Sequence, residues 1–323
     1  MARPLILLGF RSAPETESLR DRVAALAPTY SVLLTHDVDE VRAHLEDIEV
    51  AAGWLPRELL LAAPRLRWMQ QWSAGSDWLL RHPEAVAAPF VLTNASGVHA
   101  QPISEHIMAL VLALGRGLQR AIRAQSAGRW ERPEEAQGLI ELADRTMLLI
   151  GVGAIGERTA QLASAFGMRV LGVRRDPTRP ADGVDAMHGP AELGALLPQA
   201  DLVVLTVPLT RETHYLIGEA QLRAMKPNAY LINIGRGGTV DEPALIRALR
   251  EGWIAGAGLD VFEEEPLPAG SPLWQMDNVI ITAHYSGRTP RYDERASAIL
   301  LDNLARYLAG QLLRKVVDKQ AGY

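Results

Sequence analysis

The segment MLLIGVGAIG, residues 147–156, places Gly151, Gly153 and Gly156 at G-x-G-x-x-G spacing directly behind an apolar run. Each glycine answers a separate demand of a bound dinucleotide: a tight strand-to-helix turn, close approach of backbone to pyrophosphate, and close packing of helix on strand. The sequence that follows predicts a helix over Glu157–Phe166, whose unpaired N–H groups and positive dipole end would face the phosphates. The spacing alone carries little weight, since glycine makes up 27 of 323 residues. The order strand, turn, helix is what makes it a cofactor site.

Three later segments gather polar groups: INIGRGGTVDE around Arg236, LDVFEEEPL around Asp260 and Glu265, and ITAHYSG around His284. All three follow apolar runs that read as strands, and open α/β sheets bind ligands at the carboxyl ends of their strands.

The elements needed to position these groups are legible as alternation. In the first hundred residues, strands are predicted over Leu5–Gly9, Ser31–Thr35, Val50–Trp54, Leu66–Trp72 and Phe90–Asn94, with helical patterns over Ser18–Ala27 and Val38–Glu46. Such alternation reads as βαβ units on a parallel sheet. A second series predicts strands over Met147–Gly151, Arg169–Val173, Asp201–Val207, Tyr230–Ile234, Gly256–Asp260 and Asn278–Thr282, six in all, a complete doubly wound domain. Between the series, Pro102–Leu118 is apolar at helical spacing with proline in its first turn, and reads as a hinge helix leaving the first domain. The amphipathic stretch Asp293–Gly310 comes after the second domain is finished and is expected to return to the first. The expected fold is therefore α/β, with two doubly wound parallel-sheet domains and a cleft between them. A dinucleotide-binding (Rossmann) domain would span 99–289, and a discontinuous flavodoxin-like domain 1–98 and 290–323.

Composition narrows the classes. A hydrophobic content of 48% supplies a core for two domains, while a net charge of −5 without a Lys/Arg cluster argues against nucleic acid as a partner. The N-terminal MARPLILLGF is too brief for a signal peptide, and the apolar stretch Ile107–Leu114 falls far short of the roughly 20 residues that span a bilayer. No membrane association is expected. The absence of cysteine excludes disulfides and thiol chemistry and fits a cytoplasmic protein. The histidines other than His284, from His36 to His214, show no metal-ligand spacing, so no metal site is expected.

Read together, GVGAIG, TNASGVHAQPISEHIMALVLAL, DLVVLTVPLTRETHYLIG, MKPNAYLINIGRGGTVDEPAL, GLDVFEEEPLP and LWQMDNVIITAHYSG resemble, in order, the D-isomer-specific 2-hydroxyacid dehydrogenases, the glyoxylate and hydroxypyruvate reductases among them. The resemblance covers nearly the whole chain. It implies that Arg236, Glu265 and His284 form the catalytic trio. The residue types suit such a trio, because arginine's planar fork holds a substrate carboxylate, histidine passes a proton near neutrality, and a carboxylate beside it favours the imidazolium.

For the cofactor, the resemblance implies contacts from Gly151, Gly153, Ala154, Ile155, Gly156, Val207, Pro208, Thr213, Ile234, Gly235, Arg236, His284 and Gly287. It also implies that Asp260 meets the nicotinamide carboxamide. The WSAGSDWL segment resembles the family's loop of backbone donors for the substrate carboxylate, here Ser73, Ala74 and Gly75. Trp54, Leu55 and Tyr285 are candidates for the pocket wall, although large apolar residues are as readily core. A homodimer through the cofactor domains, involving the Pro102–Leu118 helix, is implied as well.

An NAD-preferring domain places an acidic residue at the end of its second strand, whereas arginine there accommodates a 2′-phosphate. Here RVLGVRRDP puts Arg174 and Arg175 at that place and Asp176 after them. NADP(H) is the expected cofactor, with NAD(H) as the alternative.

Two departures stand out. Ala283 occupies the place before the catalytic histidine where the family commonly has proline, and Arg57, Arg65 and Arg67 show no phosphate-binding arrangement. The sheet and returning helix account for the chain to residue 323, so no appended regulatory domain is expected. The functional expectation is NAD(P)H-dependent reduction of a small 2-keto acid to the D-2-hydroxy acid, with His284 as general acid/base. Two alternatives stay open: NAD-dependent oxidation of a D-2-hydroxy acid, and a non-catalytic dinucleotide sensor like the corepressors related to this family.

Overall fold

The apolar runs of the first hundred residues pair into one parallel sheet. In the computed structural model, which describes residues 3–132 and 139–322, the strands β1 (Leu5–Gly9), β2 (Ser31–Leu34), β3 (Ile48–Gly53), β4 (Trp68–Gln71) and β5 (Val91–Thr93) lie in the order β2-β1-β3-β4-β5. Every pairing is parallel. This is the flavodoxin-like order of doubly wound sheets. β1 shows why its residues must be apolar throughout. Leu5 and Leu7 enter one hydrophobic cluster while Ile6 and Leu8 enter another on the opposite face. Successive side chains of a strand alternate faces, and a parallel sheet is covered on both.

One of those covers comes from the end of the chain. The helix Tyr292–Leu308 contributes Ala296, Leu300 and Leu304, spaced four apart on one face, to the cluster that also holds Leu19 and Val23 of the helix Pro14–Leu26. Trp72 Nε1 donates to Asp293 Oδ1 at 3.0 Å, and the Tyr292 hydroxyl donates to the Trp72 carbonyl. Beyond the helix, Val316 bridges antiparallel to Thr93, and Lys319 Nζ donates to the carbonyls of Ala85 and Phe90 at 3.0 and 3.1 Å. The last residues are thereby tied to the edge of the first sheet.

The second sheet contains seven strands, one more than the sequence predicts. They are β6 (Thr146–Ile150), β7 (Arg169–Val173), β8 (Ala186–His188), β9 (Leu202–Leu205), β10 (Tyr230–Asn233), β11 (Gly256–Leu259) and β12 (Val279–Ile281), in the order β12-β11-β10-β9-β6-β7-β8. Counted from β6, this is the Rossmann order 3-2-1-4-5-6 extended by one strand. The missed element is β8, an edge strand of three half-buried residues, Ala-Met-His, that carries no apolar run.

The helix predicted over Pro102–Leu118 runs from Ala100 to Gly115, and Gly117, at φ +65°, starts a second helix, Leu118–Ser126. Ile103, Ile107, Leu110, Val111 and Leu114 of the first helix pack into a cluster with Met147, Leu149, Val204 and Ile232 of the second sheet. It is thus a core element of that sheet's own layer. By its contacts the chain divides into two compact units, Met1–Val98 with Thr289–Tyr323, and His99–Arg288. No helix among the described residues is long and apolar enough to cross a membrane.

Candidate active site

The glycine turn leaves β6 and enters the helix Ala154–Ala165, with Gly153 as its N-cap residue. The three glycines are required for different reasons. Gly151 sits at φ +99°, and a Cβ there would press on Val207 Cγ1 at 2.9 Å and Thr206 Oγ1 at 3.0 Å. A Cβ on Gly156 would lie 2.2 Å from the Gly151 carbonyl oxygen. A Cβ on Gly153 would meet no protein atom within 4 Å. Two glycines are therefore dictated by the protein's own packing, and the third only by something approaching from outside. Thr206 Oγ1 donates to the Gly151 carbonyl and ties the exit of β9 to that of β6, the switch point of the sheet. Val207 and Pro208 follow Thr206 on that exit. Thr213 Oγ1 donates to the Pro208 carbonyl at 2.6 Å, so its hydroxyl holds the loop together.

Arg236, Glu265 and His284 follow β10, β11 and β12, three neighbouring parallel strands, and so emerge at the same edge of the sheet. His284 Nδ1 lies 2.7 Å from Glu265 Oε2, and Glu265 Oε1 accepts the Phe262 N–H at 3.0 Å. An ionised carboxylate only accepts, so the proton is on Nδ1 and Nε2 is the other working nitrogen. His284 adopts φ +50°, in the left-handed region, where its N–H donates to the Asp260 carbonyl at 2.8 Å. Arg236 is placed by its neighbours. Gly235, next to the buried Ile234, would drive a Cβ to 2.7 Å from the Val207 carbonyl, and Gly237 would drive one to 1.8 Å from the Phe262 carbonyl carbon. The GRGG pattern thus lets two loops close on each other around the arginine.

Asp260 is fully buried. Oδ1 accepts from Thr282 Oγ1 at 2.6 Å and from the Tyr285 N–H at 3.1 Å, and Oδ2 accepts the Ser286 N–H at 3.1 Å. The carboxylate thus ties down the loop that carries His284. His106, which the sequence reading passed over, lies beneath this network. Its Nε2 is 3.0 Å from Thr282 Oγ1, and its ring stands edge-on to Tyr285. Burial holds the His106 imidazole below its ordinary range, with Asp260 acting the other way. A single histidine in an apolar helix resembles core, so the sequence carried no signal for it. His99 is similar. Its Nδ1 is 3.2 Å from the Gly287 carbonyl, and its ring fills the space a Cβ on Gly287 would need, 2.6 Å away. Burial, with the Arg236 charge acting in the same direction, holds His99 below its ordinary range against the Gly287 carbonyl.

Arg174 and Arg175 directly follow β7. Arg174 donates to the carbonyls of Asp176 at 2.8 Å, Val152 at 3.3 Å and Arg179, which joins the glycine turn to the loop after β7. Arg175 Nη2 meets Glu212 Oε2 at 2.9 Å on the surface. Asp176 Oδ1 accepts from the Thr178 hydroxyl and N–H, and these bonds hold the carboxyl below its usual range.

In the first unit, Trp54 is 56% exposed at the exit of β3, whereas Leu55 lies in the core, its side chain against Gly9. Ser73, Ala74 and Gly75 form a half-buried turn after β4. In the second unit Tyr285 is exposed beside His284. Among the described residues no three His, Cys, Asp or Glu side chains gather as metal ligands.

This geometry has close counterparts. The sequence profile of the D-isomer specific 2-hydroxyacid dehydrogenase NAD binding domain matches residues 108–286. A glyoxylate reductase of Thermofilum pendens is 37% identical over 265 residues, which is 81% of this chain and 78% of that protein. The chain belongs to the D-isomer specific 2-hydroxyacid dehydrogenase family. Among solved structures, a family member from Aeromonas salmonicida superimposes with a TM-score of 0.84 at 33% identity, covering 98% of this chain and 100% of that one. An NADPH-dependent glyoxylate/hydroxypyruvate reductase from Sinorhizobium meliloti, in complex with NADP and sulfate, gives 0.81 at 29% identity, covering 99% and 100%. As a member of this family the chain is an oxidoreductase that exchanges hydride between a nicotinamide cofactor and a 2-keto or 2-hydroxy acid. Its own turn fits such a cofactor: Gly153 leaves open space at the helix N-terminus, where N–H groups face an anion.

Proposed function

We propose that this dehydrogenase reduces a small 2-keto acid of the glyoxylate or hydroxypyruvate type with NADPH, giving the D-2-hydroxy acid where the product is chiral. The observation that carries the reading is the 2.7 Å pairing of His284 with Glu265, with Arg236 at the exit of a neighbouring strand. The bound nicotinamide supplies the hydride to the keto carbon. Arg236 holds the substrate carboxylate with its fork and polarises the ketone. His284 donates a proton from Nε2 to the carbonyl oxygen and takes it back in the reverse direction. Glu265 keeps the imidazole oriented and balances its charge when protonated. The N–H groups of Ser73, Ala74 and Gly75 receive the substrate carboxylate, and Trp54 and Tyr285 are its apolar neighbours. The unit Met1–Val98 with Thr289–Tyr323 is accordingly the substrate-binding domain, and His99–Arg288 the cofactor domain.

NADPH is favoured over NADH because two arginines follow β7 and the nearby carboxylate of Asp176 is occupied by Thr178. The enzyme is a cytoplasmic homodimer in this reading. Support for a dimer through the cofactor domains comes from Leu118 and Ile122, exposed one turn apart on the helix Leu118–Ser126, with Trp130 also exposed beyond it.

Initial rates of NADPH and NADH oxidation against glyoxylate, hydroxypyruvate, pyruvate, phenylpyruvate and 2-ketoisocaproate test the proposal. Faster turnover with NADPH and preference for the two smallest polar acids are expected. Binding of NADPH without turnover of any of the five would overturn it.

A further inference from the structure

In the turn Ser73–Ser76 the carbonyls are engaged by partners within the protein. The carbonyl of Ser73 accepts from the Ala95 N–H at 3.1 Å and from Gln71 Nε2 at 2.9 Å. Gln71 Nε2 also donates to the Gly75 carbonyl. The Ala74 carbonyl accepts from Asn94 Nδ2 at 2.9 Å. Both amides have their orientation settled by a second partner. Gln71 Oε1 accepts the Trp78 indole N–H at 2.7 Å, and Asn94 Oδ1 accepts the Ser96 N–H at 3.0 Å. An amide oxygen so engaged leaves only its NH₂ group for the turn. Three consecutive carbonyls are thus drawn onto two side-chain amides.

The N–H groups of Ser73, Ala74, Gly75 and Ser76 donate to no acceptor among the described residues. The Ser76 hydroxyl, buried next to them, also has no partner among those residues. Buried or half-buried donors are ordinarily satisfied, so a row of them implies an acceptor supplied from outside.

We infer that Gln71 and Asn94 are positioning residues for substrate binding: by holding the carbonyls of Ser73–Gly75, they present the N–H row of this turn to the carboxylate of the 2-keto acid. The inference rests on the proposed reading that this turn receives the substrate. Gln71, the last residue of β4, is fully buried and Asn94, just after β5, nearly so, so both act through the turn without meeting substrate themselves.

The test compares Gln71→Met, Asn94→Ala and Ala74→Pro by glyoxylate kinetics at saturating NADPH, with NADPH binding followed by fluorescence and thermal unfolding by circular dichroism. Loss of ground-state binding raises KM and leaves kcat in place, whereas general structural damage moves both. Gln71→Met and Asn94→Ala are expected to raise KM for glyoxylate about tenfold with kcat and NADPH affinity retained. Ala74→Pro, which deletes one N–H of the row, is expected to do the same. An unchanged KM in Asn94→Ala and Gln71→Met, with a raised KM in Ala74→Pro, overturns the positioning role and spares the reading of the turn. An unchanged KM in Ala74→Pro overturns the reading of the turn itself. Should Gln71→Met fail to fold, Asn94→Ala decides alone.

Discussion

Glu265 grips two partners at once: Oε2 stands 2.7 Å from His284 Nδ1 while Oε1 accepts the Phe262 N–H at 3.0 Å. The carboxylate is anchored to the backbone of its own loop, and the imidazole it holds keeps Nε2 as its second nitrogen. Replacing His284 by Ala is expected to lower kcat by about 10²- to 10⁴-fold with NADPH binding intact. Glu265→Gln, which keeps the shape but not the charge, is expected to cost at least about tenfold, ~1.4 kcal/mol of barrier. Steady-state rates paired with a fluorescence titration of NADPH check both, and a His284→Ala enzyme with full activity would remove the acid/base assignment.

The glycine turn separates packing from ligand approach. A Cβ on Gly156 would collide with the backbone oxygen of Gly151 at 2.2 Å, while one on Gly153 meets no protein atom within 4 Å. Gly156→Ala is therefore expected to destabilise the fold by about 1–3 kcal/mol through overpacking. Gly153→Ala is expected to leave the melting temperature unchanged and to weaken NADPH binding. Thermal melts with and without NADPH distinguish the two, and a Gly153→Ala protein that binds NADPH normally would contradict the account.

Cofactor choice is expected to follow the arginines after β7. Arg175 pairs with a surface carboxylate, Glu212, whereas Arg174 braces the backbone at Val152. Arg175→Ala should lower the NADPH/NADH ratio of kcat/KM by about tenfold, ~1.4 kcal/mol. Arg174→Asp should lower it further and destabilise the loop as well. If both variants keep the parental ratio, the 2′-phosphate is recognised elsewhere.

The exposed apolar pair Leu118 and Ile122 is expected to be covered in solution. Light scattering should give twice the 35.3 kDa of one chain. Ile122→Glu, which places a charge where Ile122 is 61% exposed, should shift the mass to that of a single chain without loss of helicity. A wild-type protein of single-chain mass at micromolar concentration would rule out this surface as a dimer interface.

Stability is expected to fall at alkaline pH. Tyr30 and Tyr307 both donate to Glu49 Oε1, at 2.7 and 2.8 Å. Burial first, and then Glu49, pushes both phenols up, Tyr30 to about 12, and burial pushes Tyr292 to about 12. A folded-state pKa above the unfolded value of about 10 stabilises fully below pH 10, and that stabilisation is lost as pH rises towards 12. Melting temperatures across pH 9–12 should decline, and Tyr30→Phe with Tyr292→Phe should flatten the decline. An equally steep fall in the double variant would place the alkaline lability in other groups.

Much of this protein was determined by its sequence alone, where the physics is local. Parallel strands buried on both faces must be continuously apolar, so LILLG, MLLI and LVVL announce themselves, and with them the α/β class. The turn from β6 demands glycine within a few residues, so Gly151 and Gly156 could be read without coordinates. β8 could not, because a three-residue edge strand exposes part of each side chain and leaves no apolar trace.

The polar interior was decided only by the tertiary structure. That Asp260 braces the His284 loop depends on where Thr282, Tyr285 and Ser286 arrive from the next strand. The same is true of His106, brought beneath Thr282 by a helix 176 residues earlier in the chain, and of Gln71 and Asn94, which reach the carbonyls of one turn from the ends of β4 and β5. A hydrogen bond needs its partner within about 3 Å at a fixed angle. Hydrophobic pattern specifies which face is buried, but only the packed sheet brings distant donors and acceptors to that distance.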